Sequence, residues 1–310
     1  MSKIDYNRIY VNGELLDKYD FEILNEGAED EVLRFKLDIL TYEDKENQLN
    51  NQKTTVEFYA RTKDANGDFK KQVVSAKSVY DNDKSRSKDE IGDIVSCTCK
   101  MSSNEYYSQG RLINSPKIVL EWCNREKSDR KVIPGTRWKS HVFIKDIIEN
   151  SDNLEIKGLI NDYMTQRSIR GYNVNLFIKD KELIKAFLDT YSVGDVAPLE
   201  GYLSEEKIEM DISNMDLEEL PVKGIGSARE KIIKENERRK DIKENGKQIT
   251  IKYYEITGGY DVLEDTKDTP FEEPKVQEMQ DKLNENLEKS KKRDIERNGI
   301  IEEDDEEVPF

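Results

Sequence analysis

Aromatic side chains set beside bases recur along this chain, and stacking on unpaired nucleobases is the chemistry they suit. Tyr59 alternates with Arg61 in "TTVEFYARTK", and Tyr106, Tyr107 and Arg111 crowd "SSNEYYSQGR". Trp138 and Lys139 lie in "IPGTRWKS", and Tyr172 follows Arg167 and Arg170. A ring stacks on any base whatever the sequence, worth about 1–3 kcal/mol per contact, while Arg and Lys follow the phosphates. These residues are the candidate nucleic-acid contacts. The run around Tyr106 is expected to be a loop. Trp122, in step with Ile118 and Leu120, reads as core.

Other chemistries find less to build on. His141 is the only histidine, which leaves a histidine-based hydrolase without material. No Gly-rich loop ending in Lys-Ser/Thr cradles phosphate. No pair of carboxylates stands out as a two-metal site. No enzyme and no cofactor is expected. Cys97, Cys99, Cys123 and His141 offer the donor types of tetrahedral zinc, with the first two on one face of a strand. The Cys-x-Cys spacing departs from the usual knuckle, however, and small buried core thiols are the favoured reading. Three cysteines supply no disulfide framework and suit a reducing compartment.

The elements that must carry these residues are mostly strands. "VLRFKLDIL" alternates, with Leu33, Phe35, Leu37 and Ile39 on one face and Arg34, Lys36 and Asp38 on the other. "TTVEFYARTK" places Val56 and Phe58 inward and Tyr59 and Arg61 outward. "DIVSCTCKM" and "PKIVLEWC" add two strands, and the Asn-Gly of "DANGD" signals a turn. A second unit opens at Pro134 and Gly135, with strands, one helix "KELIKAFLDTY" and further strands. Two echoes tie the units together. Gly13 in "YVNGELL" matches Gly158 in "IKGLIND", and "IGDIVSCTC" matches "VGDVAPLEG".

The expected fold class is mainly β with helical insertions: two tandem β-barrels and a charged tail, largely disordered or partly helical. The expected domains are 1–133, a barrel, and 134–260, a second barrel with a helical insertion near 213–246. A charged linker, either a marginal helix or disordered, is expected at 261–300, then an acidic tip at 301–310.

Charge is unevenly spread. The chain carries −16 in all, of which Asp261–Phe310 holds −10, leaving −6 for the body. Within that body Arg61–Lys88 has eight bases against four acids, and Arg125–Lys145 seven against two. Stripes of this kind can follow a phosphate backbone on an acidic molecule. No apolar run is long enough for a membrane span, and the N-terminal residues lack the apolar core of a signal peptide. The expected location is the cytoplasm, that of a bacterium, or of the host for a phage-encoded chain.

The last nine residues, "EEDDEEVPF", set a run of acids before Val308, Pro309 and Phe310. This ending resembles the tip of bacterial and phage single-stranded DNA-binding proteins, where aspartates precede Ile or Leu, Pro and Phe. Asp304, Asp305, Glu306 and Glu307 take the acidic positions here, and Val308 replaces the larger aliphatic residue. The barrel pattern is similar to the oligonucleotide-binding (OB) barrel of the same family. The resemblance implies a docking peptide whose Phe310 enters an apolar pocket on a replication, recombination or repair enzyme. It also implies sequence-tolerant binding of single-stranded DNA, with the acidic tip competing for the DNA groove. Two barrels in one chain, in place of the family's usual single barrel and tetramer, favour a monomer or dimer. The alternative is a replisome adaptor that uses the tip without binding DNA. A metal-dependent nuclease would need a carboxylate cluster that the sequence does not display.

Overall fold

In the computed structural model the described residues are 7–42, 51–87, 90–108, 110–126, 135–164, 169–210, 221, 229, 232–233, 235–237, 239–240, 243, 247–267 and 269–298. The acidic tip and Arg167 lie outside them. The chain divides into two compact units, one of Met1–Ser204 with Tyr253–Phe310, the other of Glu205–Lys252.

The larger unit contains two five-stranded barrels. The first is built from β1 (Asn7–Leu24), β2 (Val32–Tyr42), β3 (Asn51–Arg61), α1 (Lys71–Asn82), β4 (Ile94–Ser108) and β5 (Arg111–Arg125). Antiparallel ladders join β1 to β2, β2 to β3, β4 to β5 and β1 to β4, and a parallel contact of β3 with β5 closes the ring. The second repeats this order with β6 (Gly135–Glu149), β7 (Leu154–Met164), β8 (Ile169–Ile178), α2 (Lys181–Thr190), β9 (Val196–Met210) and β10 (Lys247–Gly259), of which residues 205–210 and 247–252 belong to the smaller unit. There β8 and β10 make the parallel closure. A five-stranded Greek-key barrel with these pairings is the OB architecture.

The alternating residues fall as their periodicity dictates. Leu33, Phe35, Leu37, Ile39, Val56 and Phe58 are buried, while Arg34 and Tyr59 face outward. In β5 the alternation breaks. Thr98 pairs with Trp122 but Cys99 with Leu120, so Glu121 is an extra residue bulged out of the ladder. A one-residue slip moves every later side chain to the other face. Trp122 therefore points outward, 40% exposed, and is not the core residue its spacing suggests, while Cys123 turns inward.

The Gly-Asp echo marks equivalent places. Leu15 N–H donates to the Asp93 carbonyl and Ile144 N–H to the Asp195 carbonyl, both at 2.9 Å, each just before a bulge in the first strand of its barrel. The other echo needs correction, because Gly13 sits in a first strand and Gly158 in a second. A Cβ on Gly13 would lie 1.9 Å from the Leu40 carbonyl oxygen and 3.0 Å from Ile39. One on Gly158 would lie 2.3 Å from Val142. Register makes Val142 the counterpart of Gly13, and Gly158 that of Ile39. The same tight crossing is relieved from opposite strands.

Two further elements complete this unit. The Asn66-Gly67 turn, with Gly67 at φ 86°, closes only the short bridge of Lys63 with Phe69, then leads into α1. The tail helix α3 (Glu273–Asn298) is longer than its narrow apolar stripe suggests. Val276 and Met279 are buried against Leu159, Ile169, Val196 and Phe271. A Cβ on Gly171 would meet the Met279 sulfur at 2.6 Å, so β8 admits the helix there by omitting a side chain. No described helix is long and apolar enough to cross a membrane.

In the smaller unit the described positions between 229 and 243 are helical, with Arg239 and Glu235 paired one turn apart at 3.3 Å.

Candidate nucleic-acid interface

Oligonucleotides meet an OB barrel on the outer face of its second and third strands and on the loops joining strands one to two and four to five. In the first barrel that face is β2–β3. Register sets Glu22, Arg34 and Tyr59 in one row, then Tyr19, Lys36 and Glu57, then Asp17, Asp38 and Thr55. Tyr59 is 61% exposed, and Arg61 follows it at the strand end, also exposed. Phe69, likewise 61% exposed, carries the Lys63 ammonium 5.7 Å from its ring centre. Two open rings thus stand among cations, the arrangement that stacking requires.

Carboxylates position the bases of this face. Arg34 pairs with Glu22 at 2.6 Å, Lys36 with Asp20 at 3.0 Å and Lys117 with Glu57 at 2.6 Å. The Asp20 hydrogen bond raises the Lys36 pKa and keeps it charged. Asp38 accepts from Tyr19, Thr55 and Lys53 at 3.1, 2.7 and 3.0 Å. Burial pushes its carboxyl up, but these hydrogen bonds and the Lys53 charge more than offset that, holding it below the usual range.

The second barrel presents a different surface at the corresponding place. Registers equate Glu57 with Phe177 and Lys117 with Tyr253. The ion pair of the first barrel is therefore replaced by an edge-to-face aromatic pair, Phe177 against Tyr253 at 5.6 Å. The Lys179 ammonium lies 4.7 Å from the Tyr253 ring centre. This cluster joins the candidate interface. Its sequence signal was the outward alternation of "NVNLFIKD" with an aromatic beside a lysine.

Between the barrels runs the β4–β5 hairpin, and the residues expected to be a loop are its strands. Tyr106 pairs with Ile113, Tyr107 with Leu112, and Ser108 with Arg111, around Gly110 at φ 77°. Of Arg111 only the backbone is described. The arm reaches the second barrel, where Asn173 donates to Glu105 at 2.7 Å and Lys100 to the Asp162 carbonyl at 3.1 Å. Helix α3 fixes its tip. Tyr107 N–H donates to Ser290 Oγ at 3.0 Å, and Gly110 N–H to Asp294 Oδ2 at 2.8 Å. Lys291 lies 5.6 Å from the Tyr107 ring centre. Tyr107 is thereby half-buried, while Tyr106 stays 38% exposed.

The remaining predicted contacts divide, with Arg170 and Tyr172 on β8, the strand of Phe177, and Trp138 and Lys139 on β6. Arg170 is exposed, with its guanidinium 5.4 Å from the Tyr172 ring centre. The Tyr172 ring is partly packed into the core, and burial raises its phenol pKa. Trp138 is fully buried and so removed from any surface that DNA reaches as folded; its Nε1–H donates to the Tyr202 carbonyl at 3.0 Å. Lys139 lies on another face, 2.5 Å from Glu200 and 5.5 Å from the Tyr260 ring centre.

The candidate zinc set is not assembled. Among the described residues no group of three or more His, Cys, Asp and Glu is placed to hold a metal ion. Cys97, Cys99 and Cys123 point into the first barrel, whereas His141 sits on β6 opposite Pro198.

Comparison with known proteins gives one family. A family model described as YorF matches residues 5–293. No curated protein matches the sequence. Among solved structures, a deletion mutant of the single-stranded DNA binding protein from Thermus aquaticus is similar at 9% identity. It covers 84% of this chain and 95% of its own, at a TM-score of 0.45. The wild-type Thermus aquaticus protein shares 12% identity over 64% of this chain and 85% of its own, at 0.40. A small single-stranded DNA-binding protein from Streptomyces coelicolor shares 13% over 41% of this chain and 100% of its own, at 0.25.

Proposed function

This chain belongs to the YorF family, and we propose that it binds single-stranded DNA without sequence preference, using the outer faces of both barrels. The observation that carries this reading is the pair of OB strand-two/strand-three faces, each with aromatic rings set among cations. Tyr59 with Arg61 serves the first; Phe177 on the third strand, packed on Tyr253 of the fifth and beside Lys179, serves the second. Tyr106, exposed on the hairpin between them, is the intermediate stacking station. Phosphates replace the carboxylates that now hold Arg34, Lys36 and Lys117, so binding weakens as salt rises. The finer role is in DNA replication or recombination, with residues 304–310 docking partner enzymes.

The ion pairing of Arg34, Lys36 and Lys117 on the first face favours a second reading, an adaptor that engages proteins through the tip and leaves DNA alone. Fluorescence anisotropy separates the two. Labelled oligo-dT and a matching duplex are titrated with the full chain and with one ending at residue 300, at several salt concentrations. Tight, salt-sensitive binding to the single strand alone supports the proposal. Absence of binding by both chains overturns it in favour of the adaptor.

A further inference from the structure

The bulge at Glu121 has a chemical effect as well as a geometric one. It turns Cys123 inward, directly opposite Cys97 in the β4–β5 ladder. The two sulfurs lie 3.0 Å apart, and both side chains are essentially inaccessible. Antiparallel partners have Cα atoms about 4.5–5.5 Å apart, within the span a disulfide tolerates. Cys99 is the internal contrast. It is equally buried, two residues along the same strand, yet faces Leu120 across the ladder.

We propose that Cys97 and Cys123 form a redox pair that a peroxide oxidises to a cross-strand disulfide at the foot of the β4–β5 hairpin. In the first step the Cys97 sulfur attacks one peroxide oxygen. The O–O bond breaks, the other oxygen leaves as water with the thiol proton, and Cys97 becomes a sulfenic acid. The Cys123 sulfur then attacks that sulfur, the S–O bond breaks, and the oxygen leaves as a second water with the Cys123 proton. Two thiols lose two electrons in all, and hydrogen peroxide gains them.

Burial pushes the Cys97 thiol well up, and contact with Cys123 adds to the effect, so the thiolate is scarce. Oxidation is therefore slow at neutral pH and quickens as the pH rises. The bond would tie β4 to β5 where Ser75 Oγ on α1 already donates to the Cys123 carbonyl at 2.6 Å. Barrel, helix and hairpin arm would then be held at one point.

The test treats the full chain with hydrogen peroxide at alkaline pH, quenches it, unfolds it under acid and alkylates the remaining thiols for mass spectrometry. The expected product is lighter by about 2 Da before alkylation, takes one alkyl group in place of three and yields a linked peptide pair spanning 97 and 123. Dithiothreitol should restore all the thiols. The oxidised form should melt about 5 °C or more above the reduced one. Cys99→Ser should still form the bond, and Cys123→Ser should not. Undiminished alkylation after oxidation, oxygen adducts without a linked pair, or loss of the bond in Cys99→Ser would each overturn the proposal.

Discussion

Ile9 and Trp138 face one another across the β1–β6 ladder, and each is the other's counterpart in its own barrel. Ile9 precedes Leu15, the last paired residue before the bulge, by the same interval that separates Trp138 from Ile144. A two-fold axis relating equivalent strands thus runs through this pair, the arrangement of an isologous dimer written into one chain. Opposite Ile9 the next strand places Cys99; opposite Trp138 it places Gly201. The indole occupies the room that the missing side chain leaves.

Filling or emptying that room should therefore destabilise the fold. A Cβ on Gly201 would lie 1.7 Å from the Glu255 carbonyl oxygen and 2.9 Å from the Trp138 ring, so Gly201→Ala should lower Tm by several degrees. Trp138→Ala should cost about 3–5 kcal/mol. Denaturant unfolding checks both, and a Trp138→Ala chain of undiminished stability would contradict its place in the core.

Removal of a stacking ring should weaken DNA binding and leave the fold intact. Tyr59→Ala and Phe177→Ala should each lower affinity for oligo-dT about tenfold. Anisotropy titrations with matched circular dichroism spectra provide the check. An effect from Tyr59 alone would confine binding to the first barrel.

The cation at the end of β3 should register in salt dependence more than in sequence preference. Arg61→Ala should reduce the slope of log K against log salt by about 0.7, the contribution of one phosphate contact on a single strand. Titrations across a salt series would show it, and an unchanged slope would place the phosphates elsewhere.

Asp38 should govern part of the acid limb of stability. Its folded pKa is depressed, so the stability it contributes is present above the unfolded value of about 3.9 and lost as pH falls through the lower, folded value. Asp38→Asn should cost about 1–2 kcal/mol at neutral pH and flatten the loss of Tm below pH 4. Thermal melts of both chains from neutral to strongly acidic pH would test the sign.

The acidic tip should separate partner docking from DNA binding. Phe310→Ala should abolish recovery of partner enzymes on an immobilised chain and leave oligo-dT affinity unchanged. Deletion of residues 301–310 should tighten DNA binding, most at low salt. Equal affinities with and without the tip would remove the competition.

Much of the barrel scaffold was legible because half-buried strands alternate, as β3 does from Gln52 to Tyr59 and β2 from Leu33 to Leu37, beyond which Asp38 and Leu40 are buried as well. What escaped was whatever depends on a partner strand. The bulge at Glu121 leaves no mark in "PKIVLEWC", yet it exchanges the fates of Trp122 and Cys123. Helix α1 hides behind a narrow stripe of Val73, Ala76 and Val79, which only the barrel completes. The two glycines looked alike because both relieve a close crossing, although they do so from different strands. Trp138 sits among bases in sequence, and its burial follows from Gly201, far along the chain. On the candidate surface Tyr59 and Arg61 were readable from alternation. Phe177 and Tyr253 become neighbours only through the parallel closure of β8 with β10.

The clamp of α3 on the hairpin also bears on how the molecule is made. The bonds from Tyr107 to Ser290 and from Gly110 to Asp294 span 183 and 184 residues. Chains emerge from the ribosome N-terminus first, at about 5–20 residues per second. The strands of the first barrel are thus available for many seconds before the helix that fastens its hairpin exists. During that interval the arm bearing Tyr106 has its own ladder but no latch, and these long-range contacts must wait for residues 290 and 294. Latching of the hairpin should be a late event of synthesis, a signal that residues 290–294 have arrived.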